Sequence, residues 1–200
     1  MNVEPVILTG RTVRIEPLTL EHAPALHRHY APELFSPMVD WPEGPELAAF
    51  VEWERRGREM PASVLFVVLL AGTGEPVGST SYLDIRPAHR GLEIGRTWIA
   101  LSHQGTRVNP ESKYLLLRHA FETLGAMRVQ LKTDLRNLRS QRAIEKLGAQ
   151  REGVFRKYQC RANGTFRDTV VYSLIDQDWP AARARLEERL GGDPTVPSEG

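Results

Sequence analysis

A single cysteine, Cys160, stands among the 200 residues of this chain. One thiol can form neither an internal disulfide nor a thiolate-rich zinc cluster, and this suits a reducing compartment, so a cytoplasmic protein is expected. Excess charge of either sign is also missing: 26 Lys and Arg stand against 25 Asp and Glu, a formal net charge of +1. That balance is far from the strongly basic surface of a general nucleic-acid binder and leaves only local basic patches. No apolar run approaches the roughly 18 residues of a membrane span, and residues 1–10 lack the basic-then-apolar order of a secretory signal. Internal repeats and low-complexity tracts are absent too. What remains, 41% hydrophobic and 26% charged residues, is an ordinary globular composition that excludes wholesale disorder. A single domain of this length buries roughly 70% of its chain surface.

Periodicity divides the chain into alternating elements. Val13 and Ile15 share one face of a strand predicted over 11–17, and Thr19 is suited to cap a helix that follows. Pro32, Pro37 and Pro42 interrupt the next stretch, and Leu47, Phe50, Val51 and Glu54 give helical spacing within 45–60. The apolar run 64–70, a turn cluster at 72–76 and a strand at 77–85 read as a hairpin. A strand is predicted over 92–101. Pro110 then opens a helix capped by Asn109, with Tyr114, Leu117, Ala120, Phe121 and Leu124 as its buried stripe and Gly125 at its end. Val129, Leu131 and Thr133 alternate in a short strand, and Asn137 caps a second helix that runs through Ile144 and Leu147 to Gly148. This strand–helix–strand–helix order predicts parallel neighbours. Strands over 153–159 and 167–174 flank an Ala162-Asn163-Gly164 turn, and a last helix covers 178–190. The expectation is one α/β domain over residues 1–190, with a mixed central sheet flanked by helices, and a flexible tail over 191–200.

The segment Gln104-Gly105-Thr106-Arg107-Val108-Asn109-Pro110 joins a strand to a helix N-terminus, where free backbone N–H groups and the positive end of the helix dipole favour an anion. Arg107 and Lys113 stand close by in sequence. Read alone, the segment is equally a polar turn. His22, His27 and His29 lack carboxylate or cysteine company at a coherent spacing and read as surface histidines, so no metal is expected. Cys160 lies on a hairpin strand with no activating pattern, and His103 reads as a solvated turn residue.

The stretch Asn137-Leu138-Arg139-Ser140-Gln141-Arg142-Ala143-Ile144-Glu145-Lys146-Leu147-Gly148-Ala149 resembles the N-x-x-S-x-x-x-x-E-K-L-G-[AF] helix of the GCN5-related N-acetyltransferases, most closely the branch with the ribosomal-protein alanine acetyltransferases. Glu93-Ile94-Gly95 before Trp98 supports it, and the resemblance extends over nearly the whole domain. The family's pyrophosphate loop usually reads [QR]-x-x-G-x-[GA]; here Gln104 and Gly105 are present, and Arg107 and Asn109 occupy the two expected small positions. The resemblance implies acetyl-CoA as cosubstrate, its diphosphate on Gln104, Gly105, Thr106, Arg107, Val108 and Asn109 with help from Lys113, and its pantetheine arm between two splayed parallel strands. It further implies that Asn137 contacts the pantetheine arm, that Ser140 lies near the thioester sulfur, and that backbone N–H groups of Trp98, Ile99, Ala100 and Leu101 hold the oxyanion. Glu93 is the implied base, with a structural ion pair as its alternative. Asn137 is also a plain helix cap, and both roles can coexist.

The implied reaction is direct acetyl transfer to a primary amine, either a protein N-terminus or a small amine, in a ternary complex. Segment 31–60 is expected to shape the acceptor side, and a homodimer is left open. Two other classes stay open as well: a non-catalytic acyl-CoA-binding or sensing module, and a ribosome- or RNA-associated protein using the Arg-rich stretch 136–167.

Overall fold

The structure is a computed structural model that describes residues 1–196. Its strands are β1 (Leu8–Thr9), β2 (Val13–Pro17), β3 (Val64–Leu70), β4 (Pro76–Arg86), β5 (Gly91–Ile99), β6 (Arg128–Asp134), β7 (Gln150–Cys160) and β8 (Phe166–Ile175). They form one mixed sheet in the order β1-β2-β3-β4-β5-β6-β8-β7. Neighbours are antiparallel except β5 and β6, which are parallel.

The two faces of the sheet carry separate cores, and β3 shows why its sequence is continuously apolar. Phe66 and Val68 point into one core and Leu65, Val67 and Leu69 into the other, so every position of the strand is covered. On the second face lie α1 (Ala23–His27), α2 (Pro32–Phe35) and α3 (Leu47–Arg58), which contribute Leu26, Phe35, Phe50 and Trp53. The first face is covered by α4 (Val108–Arg118), α5 (Leu138–Glu145) and α6 (Trp179–Leu190), with Tyr114, Leu117, Ile144 and Leu186 buried against the strands. Glu111 fixes α4 on the sheet: its buried carboxylate accepts the backbone N–H of Thr12 at 2.6 Å and of Val13 at 3.0 Å. Gly78 allows β4 and β5 to close up, because a Cβ there would lie 2.3 Å from the Trp98 carbonyl oxygen.

The sequence-based boundaries hold at most elements and fail at informative ones. Helix α4 begins at Val108 with Arg107 at its N-cap position, two residues before the Asn109–Pro110 start that proline placement suggested. The Thr106 hydroxyl accepts the Val108 N–H at 3.3 Å and the Arg107 carbonyl accepts Glu111 N–H at 3.0 Å, which starts the helix early. Past Arg118 the backbone widens into a π-type turn over His119–Thr123 before Gly125, at φ +63°. Thr19 precedes a 3-10 turn, Leu20–His22, and α1 starts only after it. Strand β1 has no counterpart in the periodicity. Residues 191–196, the first part of the expected tail, follow α6 closely: the Arg11 guanidinium donates to the carbonyls of Leu190, Gly191 and Gly192 at 3.1–3.2 Å. Residues 197–200 lie outside the described residues. Among the described residues no helix is long and apolar enough to cross a membrane.

Candidate functional site

Strands β5 and β6 pair over three positions, Gly91 with Arg128, Leu92 with Val129 and Glu93 with Gln130. Both continue beyond that point, to Ile99 and Asp134, without pairing to one another. The parallel pair is therefore splayed, and a cleft of about 800 Å³ opens between its arms. It reaches from the loop before α4, past the start of α5, to the segment around α2.

At the loop end, Gln104 donates its amide to the Ile99 carbonyl at 2.9 Å and so pins the loop to the end of β5. The backbone N–H groups of Gly105, Thr106 and Arg107 have no hydrogen-bond partner among the described residues. Val108 differs from the expectation: its side chain is in the core and its N–H is held by Thr106, so it has no group to offer a ligand. Arg107 differs too. Its guanidinium lies toward Gly191 at the end of α6, where Nη2 would meet an added Cβ at 3.9 Å, and it is not on the cleft wall. Besides Arg96, Lys113, Lys132 and Arg167, four further cations line the cleft: Arg139 and Arg142 of α5, Lys146 just past its end, and Arg189 of α6. Among the described residues none of the four makes an ion pair. The spacing 139, 142, 146 is one stripe of a helix, legible in the sequence once the helix is known. Arg189 is 43 to 50 positions from the stripe and only tertiary packing brings it near.

In the middle of the cleft, Asn137 accepts the Ser140 N–H on Oδ1 at 3.0 Å, which is the helix cap expected of it. Both residues line the cleft, and the Ser140 hydroxyl has no hydrogen-bond partner among the described residues. Lys113, expected at the loop, is instead turned onto the sheet because α4 packs there: its Nζ donates to Thr97 Oγ1 at 2.7 Å and Thr80 Oγ1 at 3.4 Å. Burial pushes its ammonium down from the ordinary 10.5 to about 7. Of the four expected oxyanion donors, Ala100 is excluded, since its N–H donates to the Val77 carbonyl at 2.8 Å. Trp98, Ile99 and Leu101 line the cleft. The Trp98 ring packs on Phe35 and Phe50, at centroid distances of 5.5 and 6.1 Å, and its buried Nε1 has no partner among the described residues.

At the far end Glu93 is buried and paired with Lys132, Nζ to Oε2 2.7 Å. Burial presses the Lys132 ammonium downward, but the charge and hydrogen bond of Glu93 outweigh it and the net shift is upward. Next along β5, Arg96 stands at φ +48°, stacks on Trp53 at 3.7 Å and pairs with the fully buried Glu54 at 3.2 Å. Desolvation nevertheless raises the Glu54 carboxyl above its ordinary value, ahead of the lowering by Arg96. The histidines are not brought together: His22 faces Glu16, His27 the Pro45 carbonyl and His29 Glu75.

A mixed sheet parted at its parallel strands, with a polar loop at a helix start on one side of the gap, is the architecture of the GNAT acetyltransferases. The family model described as an acetyltransferase (GNAT) domain matches residues 12–150, and the chain belongs to this family. A crystal structure from T. thermophilus, provisionally described as an acetyltransferase, is similar at 46% identity and a TM-score of 0.90, over 95% of this chain and all of that one. YoaA of Bacillus subtilis (strain 168), described as an uncharacterized N-acetyltransferase, is 33% identical over 52% of this chain and 57% of its own length. The matches to the curated relatives thus span little more than half of those proteins. RimJ of Mycobacterium smegmatis, solved in complex with CoA-disulfide, shares the fold at 21% identity and a TM-score of 0.75, over 96% of this chain and 98% of that one.

Proposed function

We propose that this protein is an N-acetyltransferase that moves an acetyl group from acetyl-CoA to a primary amine by direct attack in a ternary complex. The observation that carries this reading is the parting of β5 and β6 after Glu93 and Gln130, which joins an anion-seeking end to an amine-facing end through one cleft. The residues fit the cosubstrate. Unpartnered N–H groups at Gly105 and Thr106, together with Arg139, Arg142, Lys146 and Arg189, offer donors and unpaired positive charge to its phosphates. RimJ, which shares the fold, was solved with CoA-disulfide, and this supports the choice of cosubstrate. Acetyl-CoA supplies an activated acyl group with a thiolate as leaving group.

The chain's own part follows from the placement of its side chains. Asn137 is committed to capping α5, and by doing so it fixes Ser140 at the cleft wall with its hydroxyl free to hydrogen-bond sulfur. β5 residues beyond the point of parting line the cleft, and those of their N–H groups that do not pair with β4 would act as preorganised amides that stabilise developing negative charge. Glu93 takes the amine proton directly or through water, and Lys132 holds its carboxylate in place. The acceptor is a protein N-terminus or a small amine, and the setting is the cytosol.

A screen for thiol release with amines and N-terminal peptides, with product masses read out, tests the proposal. Release of CoA with an acceptor heavier by one acetyl group is expected. Acetyl-CoA at a hundredfold excess over its dissociation constant adds about 2.7 kcal/mol, or roughly 5–10 °C of melting temperature. A shift without turnover for any amine marks a non-catalytic acyl-CoA-binding module, in which the Glu93–Lys132 ion pair is structural. No shift at all rejects both.

A further inference from the structure

Two polar side chains at the amine-facing end are without roles in this account. Gln159 on β7 and Arg167 on β8 are direct cross-strand partners, so they project on the same face with adjacent side chains. Both line the cleft. The Gln159 Oε1 atom is buried and has no hydrogen-bond partner among the described residues. Arg167 is 8% exposed; its Nε donates to Thr169 Oγ1 at 3.0 Å and Nη1 to the Pro37 carbonyl at 3.4 Å. Its Nη2 has no acceptor among the described residues, and neither nearby carboxylate is free to serve: Asp134 is held by Arg161, and Glu93 by Lys132. A buried guanidinium with no carboxylate of its own is costly unless a ligand supplies one. An orphaned amide oxygen beside it awaits an N–H donor.

We propose that Gln159 and Arg167 recognise an acceptor of the amino-acid type, with a carboxylate on the carbon that bears the amine. Arg167 Nη2 takes the carboxylate and Gln159 Oε1 accepts from the amine, two groups that an α-amino acid carries side by side. This rests on the transferase reading and deepens it by naming the acceptor class. A diamine or polyamine has nothing for Arg167, and a peptide N-terminus offers only a neutral amide carbonyl.

The test compares a panel of α-amino acids, their amides, dipeptides beginning with the same residue, and the amines that lack the carboxyl group, all at saturating acetyl-CoA. Loss of a charged hydrogen bond of this kind costs about 10–100-fold in kcat/KM, so the amino acids are expected to lead by that margin. Arg167→Lys keeps the charge and loses the second arm of the fork, and is expected to raise KM for amino acids about tenfold with little change in kcat. Because Arg167 also holds Pro37 and Thr169, Gln159→Leu serves as the second variant and is expected to raise KM for the amino acids as well, since their amine loses its acceptor. Equal kcat/KM for amino acids and amines without the carboxyl group, or a lead for the dipeptides, overturns the proposal while leaving acetyl transfer intact. Calorimetric titration of amino acids into the CoA-bound protein separates the two readings further. Binding that Arg167→Lys weakens, without turnover, supports recognition and rejects transfer; absence of any binding overturns the recognition.

Discussion

Glu93 and Lys132 face one another from β5 and β6 just where those strands part, Nζ to Oε2 2.7 Å apart. The pair sits at the head of the cleft and brings a fixed carboxylate to the place where the sheet's parallel ladder ends. Its geometry sets the first expectation for the reaction.

Glu93→Gln keeps shape and removes the proton acceptor. An α-amine with a pKa near ~8 is largely protonated at neutral pH, so the rate is expected to fall roughly 100-fold at pH 7 and progressively less as alkaline solution deprotonates the amine. The pH–rate profile of wild type and variant decides. A uniform loss at every pH assigns Glu93 to acceptor positioning, and an unchanged rate leaves it a structural partner of Lys132.

Ser140 has a free hydroxyl on the cleft wall, on the helix that Asn137 caps. Ser140→Ala is expected to lower kcat more than it weakens acetyl-CoA binding, because a hydrogen bond to sulfur strengthens as negative charge develops there. Single-turnover rates and calorimetric affinities measured side by side check this. Equal losses in both make Ser140 a binding residue.

The cation pattern separates Arg107 from its neighbours. Arg107→Ala is expected to leave cofactor affinity unchanged, since the side chain lies toward α6. Arg142→Ala or Arg189→Ala is expected to weaken it several-fold, with a shallower dependence of affinity on salt. Titrations of acetyl-CoA at two ionic strengths distinguish them, and an Arg107→Ala defect would place that guanidinium at the phosphates.

Lys113 and Lys132 are expected to show opposite pH signatures. Burial lowers Lys113 from 10.5 to about 7, so between those values the unfolded chain binds more protons and stability rises with pH. The penalty is complete below pH 7, where the ammonium is charged in both states. Lys113→Met should therefore raise the melting temperature by several degrees at pH 6, with the difference fading toward pH 10. Lys132 is shifted upward, so its contribution is present at neutral pH and is lost only as the pH climbs through that raised value. Thermal denaturation across pH 6–10 tests Lys113 and its extension above pH 10.5 tests Lys132, and a Lys113→Met variant no more stable at pH 6 rejects the buried-charge account.

Local chemistry was enough for much of this molecule. The alternation of Val129, Leu131 and Thr133, the run from Val64 to Leu70, the Asn137 cap and the turn at Gly164 each depend on neighbours within a few positions, and each element stands where the sequence placed it. The motif around Ser140 pointed to the family for the same reason, because its residues share one helix. Tertiary structure alone decided the rest. Helix α4 begins at Val108 because Thr106 reaches its N–H, a side-chain contact that proline and asparagine preferences do not encode. Lys113 turned from the loop onto Thr97 because packing of α4 on β5 fixed its direction, and Ala100 lost its free amide to β4. Arg189 joined the stripe of Arg139, Arg142 and Lys146, and Lys132 claimed Glu93, across distances in sequence that no local pattern spans. Periodicity fixes which face a side chain occupies; which partner it meets there depends on how separate elements dock.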